Sequence, residues 1–240
     1  MRIIALALPA LMLAACGHAE GSASESSAIT TKQFALTDFD QVALRGSDDV
    51  DVIVGKGFSV SATGPQSVID RLEIVVEGGV LKVGRKKDSA WHMNWSDKGH
   101  AKITVTMPAI RGAKLAGSGD MKVDRAEADA FGASVAGSGN LKIGAVQAKT
   151  VDLNVAGSGN LDISGQTTSA SLSSAGSGEI IARGLKAETA DVSVAGSGNA
   201  SVQATASASV SVVGSGNVEV SGTDKCKISK LGSGDVTCKI

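Results

Sequence analysis

Tyrosine is missing from this 240-residue chain, and all aromatic residues together make up 2% of it. That scarcity excludes a bulky core built on aromatic side chains. What remains to be buried is Val, Ile, Leu and Ala, which suits thin stacked layers. The formal net charge is -1, so no basic excess draws the chain to a polyanion, and nucleic acid is excluded as a partner. No apolar run reaches the roughly 20 residues that a membrane-spanning helix needs. Glycine, by contrast, is abundant at 30 residues and signals many tight turns.

The amino terminus carries an export signal. Met1-Arg2 is followed by an unbroken apolar stretch from Ile3 to Ala15, in the pattern of a secretory leader. The stretch ends at Leu13-Ala14-Ala15-Cys16, which resembles a lipobox. The resemblance implies cleavage before Cys16 and lipidation of its thiol, so that residues 1–15 are leader and the chain meets the membrane through a lipid anchor. A plain secretory signal with an incidental cysteine is the alternative. Gly17 stands where, by the rule of such lipoproteins, an Asp would retain the chain in the inner membrane, and this implies the outer membrane, on its periplasmic or its surface face. Residues 16–33 are small and polar, unable to bury a core, and read as a flexible tether to a folded domain over 34–240.

Gly-Ser-Gly recurs at 117–119, 137–139, 157–159, 176–178, 196–198, 214–216 and 232–234, at intervals of 20, 20, 19, 20, 18 and 18. That period is too short for helical-hairpin repeats, which need 33 residues or more, and fits one coil of a β-solenoid. Aligning the coils on the triplet sorts the chain into columns. Two residues before it stand Leu115, Val135, Val155, Ser174, Val194, Val212 and Lys230, and four before it Ala113, Ala133, Leu153, Leu172, Val192, Val210 and Ile228. Between these lie polar residues such as Lys114, Ser134 and Asn154. The same alternation follows the triplet, with Met121, Leu141, Leu161 and Val123, Ile143, Ile163 inward and Lys122, Lys142, Asp162 outward. Period two on both sides of a corner is the signature of half-buried strands.

Each coil is therefore strand, corner, strand. The fold class is all-β: a single-stranded, right-handed parallel β-helix with 18–20-residue coils, right-handed because parallel crossovers wind that way. Coils spaced about 4.8 Å apart give a rod of roughly 30 Å over the seven triplets. The residue after each triplet is Asp120, Asn140, Asn160, Glu179, Asn199, Asn217 or Asp235, a column that can stack as a structural ladder of hydrogen-bonding side chains. Its acidic members stand apart from one another, so like charges do not occupy adjacent rungs.

Upstream, Val42 and Leu44, then Val50, Val52 and Val54, flank Gly46-Ser47-Asp48-Asp49, a decayed version of the same corner. Further strands are expected at 58–62, 72–76, 81–83 and 101–107, with a short helical turn over 65–72. Terminal repeats are commonly atypical, so residues 34–110 read as irregular amino-terminal coils of one solenoid with the regular repeats 111–240; a separate small β domain is the alternative.

The alternating Asp49-Val50-Asp51-Val52 strand, the Met107-Pro108 step into the repeats and the successive Gly-Ser-Gly-Asn/Asp corners resemble the GIN domain family, otherwise the "putative auto-transporter adhesin head domain". The resemblance covers about four fifths of the chain, from Phe39 to Asp235. It implies a parallel β-helix in secreted or surface proteins of Gram-negative bacteria, and brings no catalytic residues.

Four constellations bear on chemistry. Cys226 and Cys238 fall in inward columns on opposite sides of the last corner, where they either form a disulfide, which persists in an exported chain, or pack as two buried thiols. The segment 85–100 breaks the strand pattern and holds Trp91, His92 and Trp95. It is a candidate binding loop whose tryptophans stack on sugars or meet a partner, or else cover the open end of the helix. His92, Asp97 and His100 lack the spacing of a recognised metal site, so no metal and no cofactor is expected. The triplet serines have no histidine in the repeats to activate them, and they read as corner residues. Asp152 and Asp191 share an outward column two coils apart, about 9.6 Å, near the upper limit for an inverting glycosidase pair, but without clustered basic or aromatic neighbours.

The sequence thus describes a non-catalytic envelope or surface lipoprotein, adhesin-like or scaffolding, with a glycan or an envelope protein as its partner. A glycan-active β-helix enzyme and an envelope sensor are the alternatives.

Overall fold

The computed structural model describes residues 28–86 and 99–240. The strands are β1 (Ile29–Phe34), β2 (Gln41–Gly46), β3 (Asp49–Val54), β4 (Ser59–Pro65), β5 (Leu72–Glu77), β6 (Val80–Arg85), β7 (Lys102–Met107) and β8 (Gly112–Gly117). Five long strands follow, β9 (Met121–Gly137), β10 (Asn140–Gly157), β11 (Asn160–Gly176), β12 (Glu179–Gly196) and β13 (Asn199–Gly214). The chain closes with β14 (Val218–Ser221), β15 (Cys226–Leu231) and β16 (Val236–Lys239), and one helix, α1 (Gln66–Arg71), joins β4 to β5. All the strands belong to one sheet, coiled into a parallel solenoid.

Parallel pairing stacks like on like. Val155 lies between Val135 and Ser174, and Gly157 between Gly137 and Gly176. The inward columns are buried from Leu115 to Val212 and form one continuous core. Ser174, the polar member of its column, is buried with its hydroxyl donating to the Gly178 carbonyl, 3.3 Å away. Ser201, in an outward column, is also buried and donates to the Ile180 carbonyl.

The corner explains the triplet. In the third repeat Ser158 N and Gly159 N both donate to the Gly137 carbonyl of the coil below, at 2.9 Å each. Gly157 has φ +120°, a region that side chains rarely enter, and a Cβ on Gly159 would stand 2.4 Å from the Gly139 carbonyl oxygen. The same pair of bonds ties Ser118 and Gly119 to the Gly46 carbonyl, so Gly46-Ser47-Asp48 is the first corner of the stack. Differences in coil length are absorbed elsewhere. The register slips between Ile143 and Val146, between Asp162 and Ser164, and between Ala182 and Lys186, all on the far side of the second strand from the triplet. The triplets therefore stay aligned although the coils are 18, 19 or 20 residues long.

Two expectations are corrected at the amino-terminal end. Residues 29–33, assigned to the tether, belong to β1, which runs antiparallel to β4 with Thr31 opposite Thr63. An edge strand of mostly exposed residues is held by its backbone ladder and shows no apolar alternation to read. The irregular half is also not simply more coils. β2 and β3 form a true coil under β8 and β9, but β4 runs antiparallel to β7, and β5 and β6 are an antiparallel hairpin. Gly78 (φ 59°) and Gly79 (φ 76°) make its turn, the two positive angles that tight hairpins favour. Helix α1 sits at this end with Val68 and Ile69 buried in the core.

The carboxy-terminal end has no such cover among the described residues. Ile228 is 47% exposed and Leu231 72%, and Lys230 occupies the column that Val212 fills one coil earlier. Cys226 and Cys238 are half-buried against the core and joined as a disulfide, Cα atoms 6.6 Å apart, closing this last coil on itself. No helix among the described residues is long and apolar enough to cross a membrane.

Candidate functional site

The corner column forms a ladder along one edge of the rod. Asn140 donates to Asp120 Oδ1 through Nδ2 at 2.9 Å and through its backbone N at 3.0 Å. Asn160 Nδ2 donates to Asn140 Oδ1 at 3.0 Å, and Asn217 Nδ2 to Asn199 Oδ1 at 3.2 Å. Asp235 N closes the upper end on Asn217 Oδ1 at 2.9 Å. The ladder starts one rung earlier than the triplets do, since Asp120 N donates to Asp49 Oδ1 at 3.0 Å. Two carboxylates, Asp49 and Asp120, thus occupy adjacent rungs, a correction to the spacing of charges expected from the triplets alone. Lys102, beside Asp49 in the β3–β7 register and bonded to Asp51 at 2.8 Å, supplies the compensating charge. Its pKa is raised, first by the hydrogen bond to Asp51.

Among the described residues Glu179 is the one interior rung whose side chain makes no hydrogen bond, although its Cα is in register with Asn160 and Asn199. It lines a groove of about 310 Å³ with Asn199, Asn217, Arg183, Glu219 and Lys239. There Glu219 is held from two sides, by Lys239 Nζ at 2.8 Å and an Arg183 nitrogen at 3.3 Å. The Lys239 hydrogen bond, more than the Arg183 charge, keeps its carboxyl below the usual carboxylate range.

A second cluster sits under the first corner. Asp48 takes the place of the third glycine and is wholly buried. Its carboxylate receives Arg85 Nε at 2.9 Å, an Arg85 terminal nitrogen at 2.7 Å and Ala101 N at 2.8 Å. Arg85 also donates to the Gly99 carbonyl at 2.9 Å, and the His100 ring bonds the Ser47 carbonyl. Both ends of the segment that carries the tryptophans are thereby pinned to one corner. Trp91, His92 and Trp95 themselves lie outside the described residues, as does Cys16.

The remaining candidates do not converge. Asp152 and Asp191 flank Ser171 in register on an exposed face. No group of three or more His, Cys, Asp or Glu able to hold a metal occurs among the described residues. The sequence reading missed Asp49 as a rung, the Asp48–Arg85 pair, and Arg183, Glu219 and Lys239 in the groove. It also missed an outer column, Glu127, Gln147, Gln166, Lys186 and Gln203, because the coil lengths change just before it and triplet alignment loses register there.

Residues 38–224 match the family described as "Putative auto-transporter adhesin, head GIN domain". Among solved structures, a "putative adhesin" from Bacteroides fragilis is 23% identical with a TM-score of 0.79, over 90% of this chain and 98% of that one. A "putative lipid binding protein" from Parabacteroides distasonis is 25% identical with a TM-score of 0.71, over 90% and 98%. A "putative adhesin" from Parabacteroides merdae is 18% identical with a TM-score of 0.69, over 90% and 97%. No curated protein matches the chain.

Proposed function

The chain belongs to the family of the "putative auto-transporter adhesin, head GIN domain", and on that premise we propose that it is a non-catalytic, adhesin-like binding module of the cell envelope. The observation that carries this reading is the ladder face. A rigid rod presents a row of exposed amide and carboxylate side chains in fixed steps of about 4.8 Å, next to a shallow polar groove. Such a surface supports recognition of an extended polar partner, a glycan or an envelope protein. The triplet serines serve the corner, and the repeats hold no histidine to activate them.

In this reading the anchor is a lipid on Cys16, in the outer membrane. Support comes from the lipobox and from the sheet order. β1, next to the tether, and β16 stand at opposite ends of a path of ten strand spacings, so the last coil is presented about 48 Å from the strand that the tether enters. Trp91 and Trp95 are proposed as a second contact region, held at its roots by Arg85 and Asp48.

Binding of the purified protein to intact bacterial cells, to envelope fractions and to immobilised glycans tests the proposal. Saturable binding without turnover is the expected result. Cleavage of any glycan that disappears in Asp152→Ala would overturn the non-catalytic reading. Loss of binding in the Trp91→Ala, Trp95→Ala double variant would place the contact on that segment, and unchanged binding would remove it. Mass spectrometry of the mature amino terminus tests Cys16 separately.

A further inference from the structure

The ladder runs from Asp49 to Asn160 and again from Asn199 to Asp235, and it fails between them for a chemical reason. Within each run an Asn donates through Nδ2 to the oxygen of the rung before it and accepts on its own Oδ1 from the rung after it, as Asn140 and Asn217 do. An ionised Glu has no N–H to donate, so Glu179 leaves Asn160 Oδ1 without a side-chain donor. Its additional methylene also carries the carboxylate away from the place where Asn199 Nδ2 would find an acceptor. Glu179 is half-buried, whereas the neighbouring Asn rungs are exposed. One carboxylate and one amide nitrogen, on consecutive rungs, thus line the groove with no hydrogen bond among the described residues.

We infer that this break in the ladder, at Glu179 and Asn199, is a binding site for a neutral sugar unit. The inference rests on the glycan-binding reading of the ladder face and assigns it a place. Adjacent hydroxyls of a pyranose match the break, one donating to the Glu179 carboxylate and its neighbour accepting from Asn199 Nδ2. The groove of about 310 Å³ is at the small end of ligand sites, suited to one or two sugar rings. Charge selects neutral sugars over acidic ones. The groove holds three carboxylates (Glu179, Glu219, Asp235) against two cations (Arg183, Lys239), a net of -1, and both cations are already engaged by Glu219. A sialic acid, a uronic acid or a sulfated sugar would bring its negative charge against Glu179 without a free cation to meet it.

The test is a printed array of neutral and acidic oligosaccharides, followed by calorimetric titration of the strongest neutral binder with the full chain and two variants. Asn199→Ala removes the amide donor. Glu179→Asn supplies the residue type that completes the ladder, so its thermal midpoint is expected to equal or exceed that of the parent while sugar affinity falls. Glu179→Asn should weaken binding about tenfold or more, as expected for a hydrogen bond to a charged group, and Asn199→Ala about three- to tenfold, as expected for a neutral one. Neutral-sugar affinity unchanged in both variants overturns the assignment, as does an array on which only acidic glycans bind. If the parent binds cells but no printed sugar, this inference fails while the adhesin-like reading stands; if it binds neither, both fail.

Discussion

Replacing Gly159 with alanine separates contact between coils from backbone freedom as the reason for the third glycine of the triplet. Gly159 does not have a left-handed φ, yet a Cβ placed on it would lie 2.4 Å from the Gly139 carbonyl oxygen and 2.7 Å from Val135 Cγ1. Ordinary non-bonded contacts to carbon lie near 3.5–4.0 Å, so the valine and the backbone of the lower coil must both give way by about 1 Å. Overpacking of this kind costs about 1–3 kcal/mol. Lifting the coil also stretches the bonds from Ser158 N and Gly159 N to the Gly137 carbonyl, each worth about 1 kcal/mol. With about 1–3 kcal/mol from overpacking and about 1 kcal/mol from weakening those bonds, and at about 2–4 °C per kcal/mol for a chain of this size, the thermal midpoint should fall by about 4–16 °C. Gly132→Ala is the matched control. Nothing lies within 4 Å of a Cβ there and the backbone is not left-handed, so alanine should leave stability unchanged or raise it by up to about 1 kcal/mol. Thermal unfolding followed by circular dichroism gives both midpoints. If Gly159→Ala and Gly132→Ala unfold together, close packing of the coils is not what selects glycine at the corner.

Asp48→Asn, which keeps the shape of a buried side chain but removes its charge, should lower the urea midpoint by an amount equivalent to about 3 kcal/mol, because Arg85 loses its ionic partner. A loss below about 1 kcal/mol would show that the pair is not structural. Reducing the Cys226–Cys238 bridge, which spans 12 residues, should cost about 2–3 kcal/mol and lower the midpoint in reductant; a Cys226→Ala variant should reproduce the reduced midpoint and respond no further. Lys230→Val restores the apolar column on the last coil, beside exposed Ile228 and Leu231. Light scattering after gel filtration should then show dimers or larger species, since an inward-pointing lysine on an edge strand blocks end-to-end pairing; a species unchanged from the parent in mass would refute that role for Lys230.

How much was legible follows from how local each signal is. Leu153 could be assigned inward and Asn154 outward from four neighbouring residues and a triplet, because strand side chains alternate and the corner fixes their phase. The decayed corner at Gly46 was readable for the same reason. Asp235 and Asn217 announced themselves as rungs by position alone, whereas the failure of Glu179 to bond could be seen only once its carboxylate was placed.

The sequence by itself determined that the chain is a solenoid, where its corners fall and which columns form the core, since all of these rest on periodicity within about 20 residues. The tertiary structure decided the rest. It placed Asp48 against Arg85, 37 positions away, and Asp49 under Asp120, 71 positions away. It turned β1, β4 and β5 antiparallel, and it brought Glu179, Arg183, Glu219 and Lys239 from three coils to one groove. Those contacts depend on how whole coils stack and where their lengths slip, which no local alternation of side chains records.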